Sequence, residues 1–114
     1  MDYIFHITEA KGFSSLYIME SEGKAMIRVY QYYDEPDVSY IDTLHVHKDY
    51  RREGIGGKML SMAELTEFNE GRKTLFLWTY KDSWQQKWYE RKEYVYHSIY
   101  DVEDNAIWMK KILR

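Results

Sequence analysis

The chain has 114 residues, 45% of them hydrophobic and only one a proline, which predicts a single folded domain over residues 1–114 and excludes a disordered or Pro-rich linker protein. A formal net charge of -3 with no long basic run disfavours a nonspecific nucleic-acid binder, because neutralising phosphates needs a cationic stripe. The absence of cysteine removes disulfides, thiolate nucleophiles and Cys-ligated metals and points to a reducing, cytoplasmic setting, while no apolar stretch approaches the roughly 20 residues of a membrane span and residues 1–5 do not resemble a signal peptide.

Residues 3–8 and 15–20 alternate apolar with polar, and Glu22-Gly23 reads as a tight turn into a third strand at 24–33, so the chain opens as an antiparallel meander. The turn Asp34-Glu35-Pro36-Asp37 leads into a fourth strand at 39–47, rich in β-branched and aromatic residues. Gly54, Gly56 and Gly57 come next, among good helix formers with apolar spacing at Ile55, Met59, Met62, Ala63 and Thr66. This predicts a helix to about Asn69, stopped by a left-handed Gly71.

Residues 74–80 form a near-continuous apolar run, the pattern of a strand buried on both faces, and strand, helix, buried strand implies a right-handed parallel crossover. Asp82 or Ser83 caps a second helix to about Arg91, and residues 94–101 and 106–113 form a hairpin around Glu103-Asp104-Asn105. The order β-β-β-β-α-β-α-β-β predicts an α+β fold with one mixed sheet of about seven strands. Aromatics make up 18% of the chain and alternate within the strand segments, which reads as core and sheet packing and assigns them no specific function.

The glycines fall directly between a strand and a helix. Free N–H groups at a helix start, with the positive end of the helix dipole behind them and no Cβ in the way, form a nest for a pyrophosphate. The segment is not a Walker loop, since no GK[ST] ends it, nor a full dinucleotide fingerprint. Arg51, Arg52 and Lys58 flank the nest as candidate partners for phosphate oxygens. His45 and His47 share a strand parity but lack a third ligand, so no metal site is expected.

Arg51-x-x-Gly54-x-Gly56, with Leu44, Val46, Tyr50, Ile55 and Leu60 around it, resembles the acetyl-CoA pyrophosphate loop of the GNAT superfamily. Trp88-Tyr89-Glu90-Arg91-Lys92-Glu93-Tyr94 is similar to that family's second-helix segment at the same distance downstream. The resemblance implies direct transfer of an acetyl group from acetyl-CoA to a primary amine, with no metal and no covalent enzyme intermediate. It implies a cofactor site built from the backbone of Leu44, His45 and Val46 on a splayed, bulged strand, the loop Arg51, Arg52, Glu53, Gly54, Ile55, Gly56, Gly57 and Lys58, and Asp82 beside the pantetheine arm. It places Tyr89 as the acid for the leaving thiolate. Asp42, two residues before Leu44 and expected on the same face, stands where polyamine acetyltransferases carry a carboxylate and is the candidate base or amine anchor, with His45 as a proton relay or a water chain as the alternatives.

Three features depart from the family pattern. Only about 45 residues precede Val46, so the usual N-terminal helices are missing or reduced to residues 9–13, which leaves the acceptor pocket open or completed by a second subunit in a homodimer. Asp82 replaces a common asparagine, and Glu93 replaces a helix-ending glycine. These departures motivate the alternative of a catalytically degenerate GNAT module that binds CoA or a protein partner.

Overall fold

Alternation of apolar and polar residues builds the first half of the chain, because only an extended backbone puts every second side chain on one face. The computed structural model describes residues 2–114; Met1, the first residue of the expected domain, lies outside the described residues. The meander consists of β1 (Tyr3–Ala10), β2 (Phe13–Glu20), β3 (Ala25–Tyr32) and β4 (Val38–Val46). Ala10 faces Phe13 across the turn Lys11-Gly12, so residues 9–13 are a hairpin and no remnant of an N-terminal helix.

After the meander come α1 (Ile55–Asn69), β5 (Thr74–Tyr80), α2 (Trp84–Arg91), β6 (Val95–Asp101) and β7 (Ala106–Ile112). The strands form one seven-stranded mixed sheet in the order β1-β2-β3-β4-β5-β7-β6, with β4 and β5 its parallel pair.

Both helices cover the same face. Met59, Leu60 and Ala63 of α1 pack with Ile27, Val29, Leu75 and Leu77 of the sheet, and Trp88 and Tyr89 of α2 join that cluster. Each fully buried aliphatic side chain of this kind contributes about 1.5–3 kcal/mol, so this one interface supplies most of the stability. The buried stripe of α1 is Ile55, Met59, Leu60, Ala63 and Glu67, one position off the apolar spacing at its far end. Glu67 is tolerated there because Gln31 Nε2 donates to both its oxygens at 3.0 and 3.2 Å, although burial still raises its pKa.

Among the described residues the other face carries no helix, which corrects the reading of β5 as buried on both sides. Leu75, Leu77 and Thr79 are buried, whereas Trp78 and Tyr80 are 36% and 49% exposed. The aromatic residues of the opposite strand parity form a continuous belt on this face. It runs from Phe13 and Tyr30 through Tyr32, Tyr40 and Phe76 to Trp108, Tyr100 and Trp78, with neighbouring ring centroids 4.9 to 6.4 Å apart.

Helix α2 ends in a left-handed residue that is not glycine: Glu93 has φ 75°, and the Tyr94 N–H closes the turn by donating to the Tyr89 carbonyl at 3.0 Å. The turn drives the Tyr94 ring into the core, where its hydroxyl donates to Glu64 at 2.8 Å. The Glu93 carboxylate lies 3.9 Å from Lys111 and is largely solvated, so that contact contributes little. Glu93→Gly is therefore expected to raise stability by about 1 kcal/mol and Tm by a few degrees, read by circular dichroism melting. An unchanged or lowered Tm would remove left-handed strain as the cost of this helix end.

Candidate active site at the cleft between β4 and β5

Strands β4 and β5 pair only at Val38 with Thr74, Ser39 with Leu75 and Tyr40 with Phe76, and beyond that point they part. On its other edge β4 is bulged: Arg28 of β3 faces Thr43 while Val29 faces Ile41, so Asp42 is the extra residue. The bulge reverses the side-chain parity of the strand. Ser39 and Ile41 face the helices before it, and Leu44 and Val46 pack toward them after it. Asp42 is thus not on the face of Leu44, as the simple alternation suggests. It lies with Tyr40 on the helix-free face, exposed, its carboxylate accepting from Thr43 Oγ1 at 3.1 Å.

Past the bulge the β5-facing edge of β4 at Leu44, His45 and Val46 is unpaired. His45 faces Met26 on the helix-free side, whereas His47 leaves the strand and caps a short 3₁₀ turn, its Nδ1 accepting from the Asp49 N–H at 3.3 Å. The two histidines serve separate elements, and among the described residues no group of three or more His, Cys, Asp or Glu side chains is placed to hold a metal.

The glycine loop follows. Gly54 caps α1 in a left-handed conformation at φ 80°, and Lys58 is the first residue whose N–H finds a helical acceptor, the Gly54 carbonyl at 3.1 Å. Among the described residues, no main-chain N–H from Arg51 through Gly57 makes a short, well-aligned hydrogen bond to a protein acceptor. These donors gather at the positive end of α1, which favours an anion. A Cβ on Gly56 would lie 3.3 Å from Val46 Cγ2 and 3.7 Å from the Trp88 ring, so glycine lets the helix start directly against β4 and α2.

The charged side chains around the loop divide. Arg51 Nε donates to the Val46 carbonyl at 3.1 Å and ties the loop to β4. Arg52 and Glu53 are exposed. Lys58 Nζ lies over the Tyr3 ring, 5.4 Å from its centroid, and so is drawn toward β1. Lys92 takes the inner place that sequence reasoning missed: its Nζ would lie 3.1 Å from a Cβ on Gly57 and sits 5.4 Å from the Trp88 centroid. The signal was the i, i+4 pair Trp88 and Lys92, which puts the cation over the ring and at the start of α1.

Ser83, rather than Asp82, caps α2, accepting from the Gln86 N–H at 3.1 Å. Asp82 is exposed in a left-handed conformation at φ 61° and donates its own N–H to Gln86 Oε1 at 2.6 Å. Tyr89 lies on the helix side with its ring centroid 5.1 Å from Trp88 and 5.7 Å from Tyr94, and burial pushes its phenol up to about 12. Asp42 and Tyr89 therefore stand on opposite faces of the sheet. On the Asp42 side is a half-open cavity of about 540 Å³ walled by Tyr30, Tyr40, Trp78, Tyr100 and Trp108, with Asp42 its one charged lining residue.

Comparison with known proteins bears on this arrangement. The family model described as an acetyltransferase (GNAT) domain matches residues 12–96. No curated protein sequence matches the chain. Among solved structures, the chain resembles a GNAT family acetyltransferase from Elizabethkingia anophelis with acetyl-CoA bound, at 15% identity and a TM-score of 0.73, covering 97% of this chain and 98% of that one. It also resembles the ribosomal-protein-S18-alanine N-acetyltransferase of Escherichia coli at 16% identity and TM-score 0.71, over 92% of this chain and 72% of that one. Nourseothricin acetyltransferase gives 14% identity and TM-score 0.73 over 99% and 85%. At such identities the likeness speaks for the fold. The family rests on the domain match, which runs from the β1–β2 turn to β6 and takes in the parted strands, the nest and α2: this chain belongs to the GNAT acetyltransferase family.

Proposed function

We propose that this protein transfers an acetyl group from acetyl-CoA directly to a primary amine of a small molecule. The observation that carries the reading is the run of unpartnered N–H groups from Arg51 through Gly57, set at the start of α1 beside the opening of β4 from β5. A pyrophosphate fits that nest, with Arg52 and Lys92 as the cations at hand. The open edge of Leu44, His45 and Val46 offers backbone groups to a pantetheine arm. The relative from Elizabethkingia anophelis, of almost the same extent, has acetyl-CoA bound. Asp82 as a carboxylate can only accept a hydrogen bond from that arm, whereas an asparagine can also donate.

In the transfer, the neutral amine nitrogen attacks the thioester carbon, the C–S bond breaks, the thiolate leaves and the nitrogen gives up a proton. An amine of pKa near ~10 arrives mostly protonated, so Asp42, directly or through water, anchors the ammonium and receives protons on the acceptor face. Tyr89 works on the opposite face. A phenol held at about 12 keeps its proton at neutral pH but is too weak an acid to hand it to a thiolate whose own pKa is near ~8.5. Its part is then a hydrogen bond to the developing thiolate, and positioning of the two reactants contributes more.

Acetyl-CoA at a hundredfold excess over Kd is expected to stabilise the protein by about 2.7 kcal/mol in a thermal shift experiment. Gly56→Glu should lose the shift, measured against its own baseline, and Lys92→Ala should weaken it without changing the unliganded Tm much. No shift with the wild-type protein would reject the cofactor site. A shift without turnover of any amine would favour the non-catalytic module instead.

Steady-state kinetics should separate the two faces. Asp42→Asn is expected to lower kcat/KM for cationic amines while leaving acetyl-CoA affinity unchanged. Tyr89→Phe is expected to lower kcat by roughly 10- to 100-fold, the worth of a hydrogen bond to a charged group, with Tm and acetyl-CoA binding retained. Because the raised pKa preserves the proton-bearing form, the Tyr89-dependent part of the rate should persist past pH 10 and fall only near about 12. Losses of equal size in acetyl-CoA affinity for either variant would make that residue structural.

A further inference from the structure

The helix-free face holds a recognition surface that acetyl transfer as such leaves unexplained. Asp42 and Trp78 each stand two positions past Tyr40 and Phe76, the last paired residues of β4 and β5, so they flank the mouth of the cleft. Behind Trp78 the wall continues: Trp78 and Tyr100 stack with centroids 5.1 Å apart at 18°, and Tyr100 meets Trp108 edge to face at 4.9 Å. Across the cavity Tyr40 is fixed by its hydroxyl, which donates to Glu35 at 2.7 Å, so its ring forms the wall. The volume of about 540 Å³ is far more than an ammonium group needs. Every lining residue other than Asp42 is aromatic or aliphatic.

The geometry points to an acceptor with a single ammonium group carried on a flat aromatic body, the ammonium at Asp42 and the body against Trp78, Tyr100 and Trp108. One carboxylate balances one positive charge. Ring walls gain from an apolar body through buried area and ring–ring contact, and from the ammonium through the negative faces of the rings. A polyamine would bring further cations into a cavity whose lining holds no second carboxylate, Glu35 at its margin being engaged by the Tyr40 hydroxyl. The cations that share this face, Arg28 on β3 and Lys110 on β7, would repel them, with Arg28 already over the Tyr17 ring at 5.3 Å. The inference names the substrate class of the proposed transfer and rests on that reading for the chemical step, but recognition of the amine does not require acetyl-CoA.

Two of the four tryptophans line the cavity, so tryptophan emission reports its occupation. The test titrates the protein, without acetyl-CoA, with 2-phenylethylamine, its neutral analogue 2-phenylethanol, propylamine and spermidine. The expected result is saturable binding of 2-phenylethylamine at least about tenfold tighter than each of the other three, the scale of one good cation–ring or ion-pair contact. Asp42→Asn should bring 2-phenylethylamine down to the level of 2-phenylethanol and leave the alcohol unchanged. Tyr100→Leu, a change on an exposed edge strand that keeps both reporters, should weaken the two aromatic ligands together. Spermidine binding as tightly as 2-phenylethylamine, indifference of the aromatic amine to Asp42→Asn, or no saturable binding would each overturn the assignment. If acetyl-CoA stabilises the protein and propylamine or spermidine is acetylated in preference, acetyl transfer stands and this substrate class falls. If 2-phenylethylamine binds as expected and acetyl-CoA does not, the class stands and acetyl transfer falls.

Discussion

The structure turns on the inability of β4 to stay paired with β5. Parallel strands gain their stability from evenly spaced ladder bonds, and here the ladder stops after Tyr40 and Phe76. The bulge at Asp42 is the local cause on the β4 side: one extra residue bends and twists the strand, and β3 is free to follow it because the two remain paired up to Ala25 and Val46. The edge of β4 beyond Tyr40 is left with main-chain groups that nothing in the sheet satisfies. Beside it, the glycine loop leaves a second set of donors without protein partners. Two neighbouring shortfalls of hydrogen bonding in an otherwise well-bonded sheet describe a place built for a polar, extended ligand.

Having helices on only one face has an energetic and a chemical consequence. The core under α1 and α2 is dense and contains the fully buried Ile18, Ile27, Met59, Leu75 and Met109. The aromatic belt on the other face has no layer above it, so its rings stabilise the sheet mainly through contact with one another. Edge-to-face and stacked pairs contribute about 0.5–1.5 kcal/mol each beyond area burial, which suits a surface that must stay ordered while accessible. Tyrosine and tryptophan suit the proposed acceptor surface because rigid rings would lose little conformational freedom on binding a ligand.

The order of strands and helices along the chain and the glycine loop ahead of α1 were legible because each rests on local patterns: period-two alternation, glycine spacing, and the strand-to-helix position of the glycines. What was illegible depends on features that sequence periodicity cannot encode. The resemblance implied a bulge in this strand, but the same-face placement of Asp42 with Leu44 counted simple alternation across it, and a bulge falling at Asp42 itself inverted that placement. The apolar run of β5 looked doubly buried because hydrophobicity does not say whether a second layer exists. Glu67 sits in the buried stripe of α1 only because Gln31, 36 positions earlier, meets it. Lys92 belongs to the nest through a fold that returns the end of α2 to the start of α1. Glu93 stands where the family pattern has a helix-ending glycine, and the chain adopts the left-handed conformation regardless, since burying Tyr94 outweighs a penalty of about 1–2 kcal/mol.

The division of the sheet into two unlike faces suits what the proposed amide formation would require. The leaving thiolate and the incoming ammonium carry opposite charges and opposite needs: one is stabilised by donors, the other by a carboxylate and ring faces. Placing both sets of groups on one face would pair them with each other, a carboxylate at the nest competing with phosphate for the same donors. In this fold the nest, Lys92 and Tyr89 lie on the helix side, and Asp42 with its aromatic walls lies on the other. Between them β4 and β5 part, leaving a gap that no ladder bond spans beyond Tyr40 and Phe76. The bulge beside this gap also turns Asp42 away from the helices, so in the proposed transfer one inserted residue would both make room for the thioester and set the carboxylate on the acceptor side.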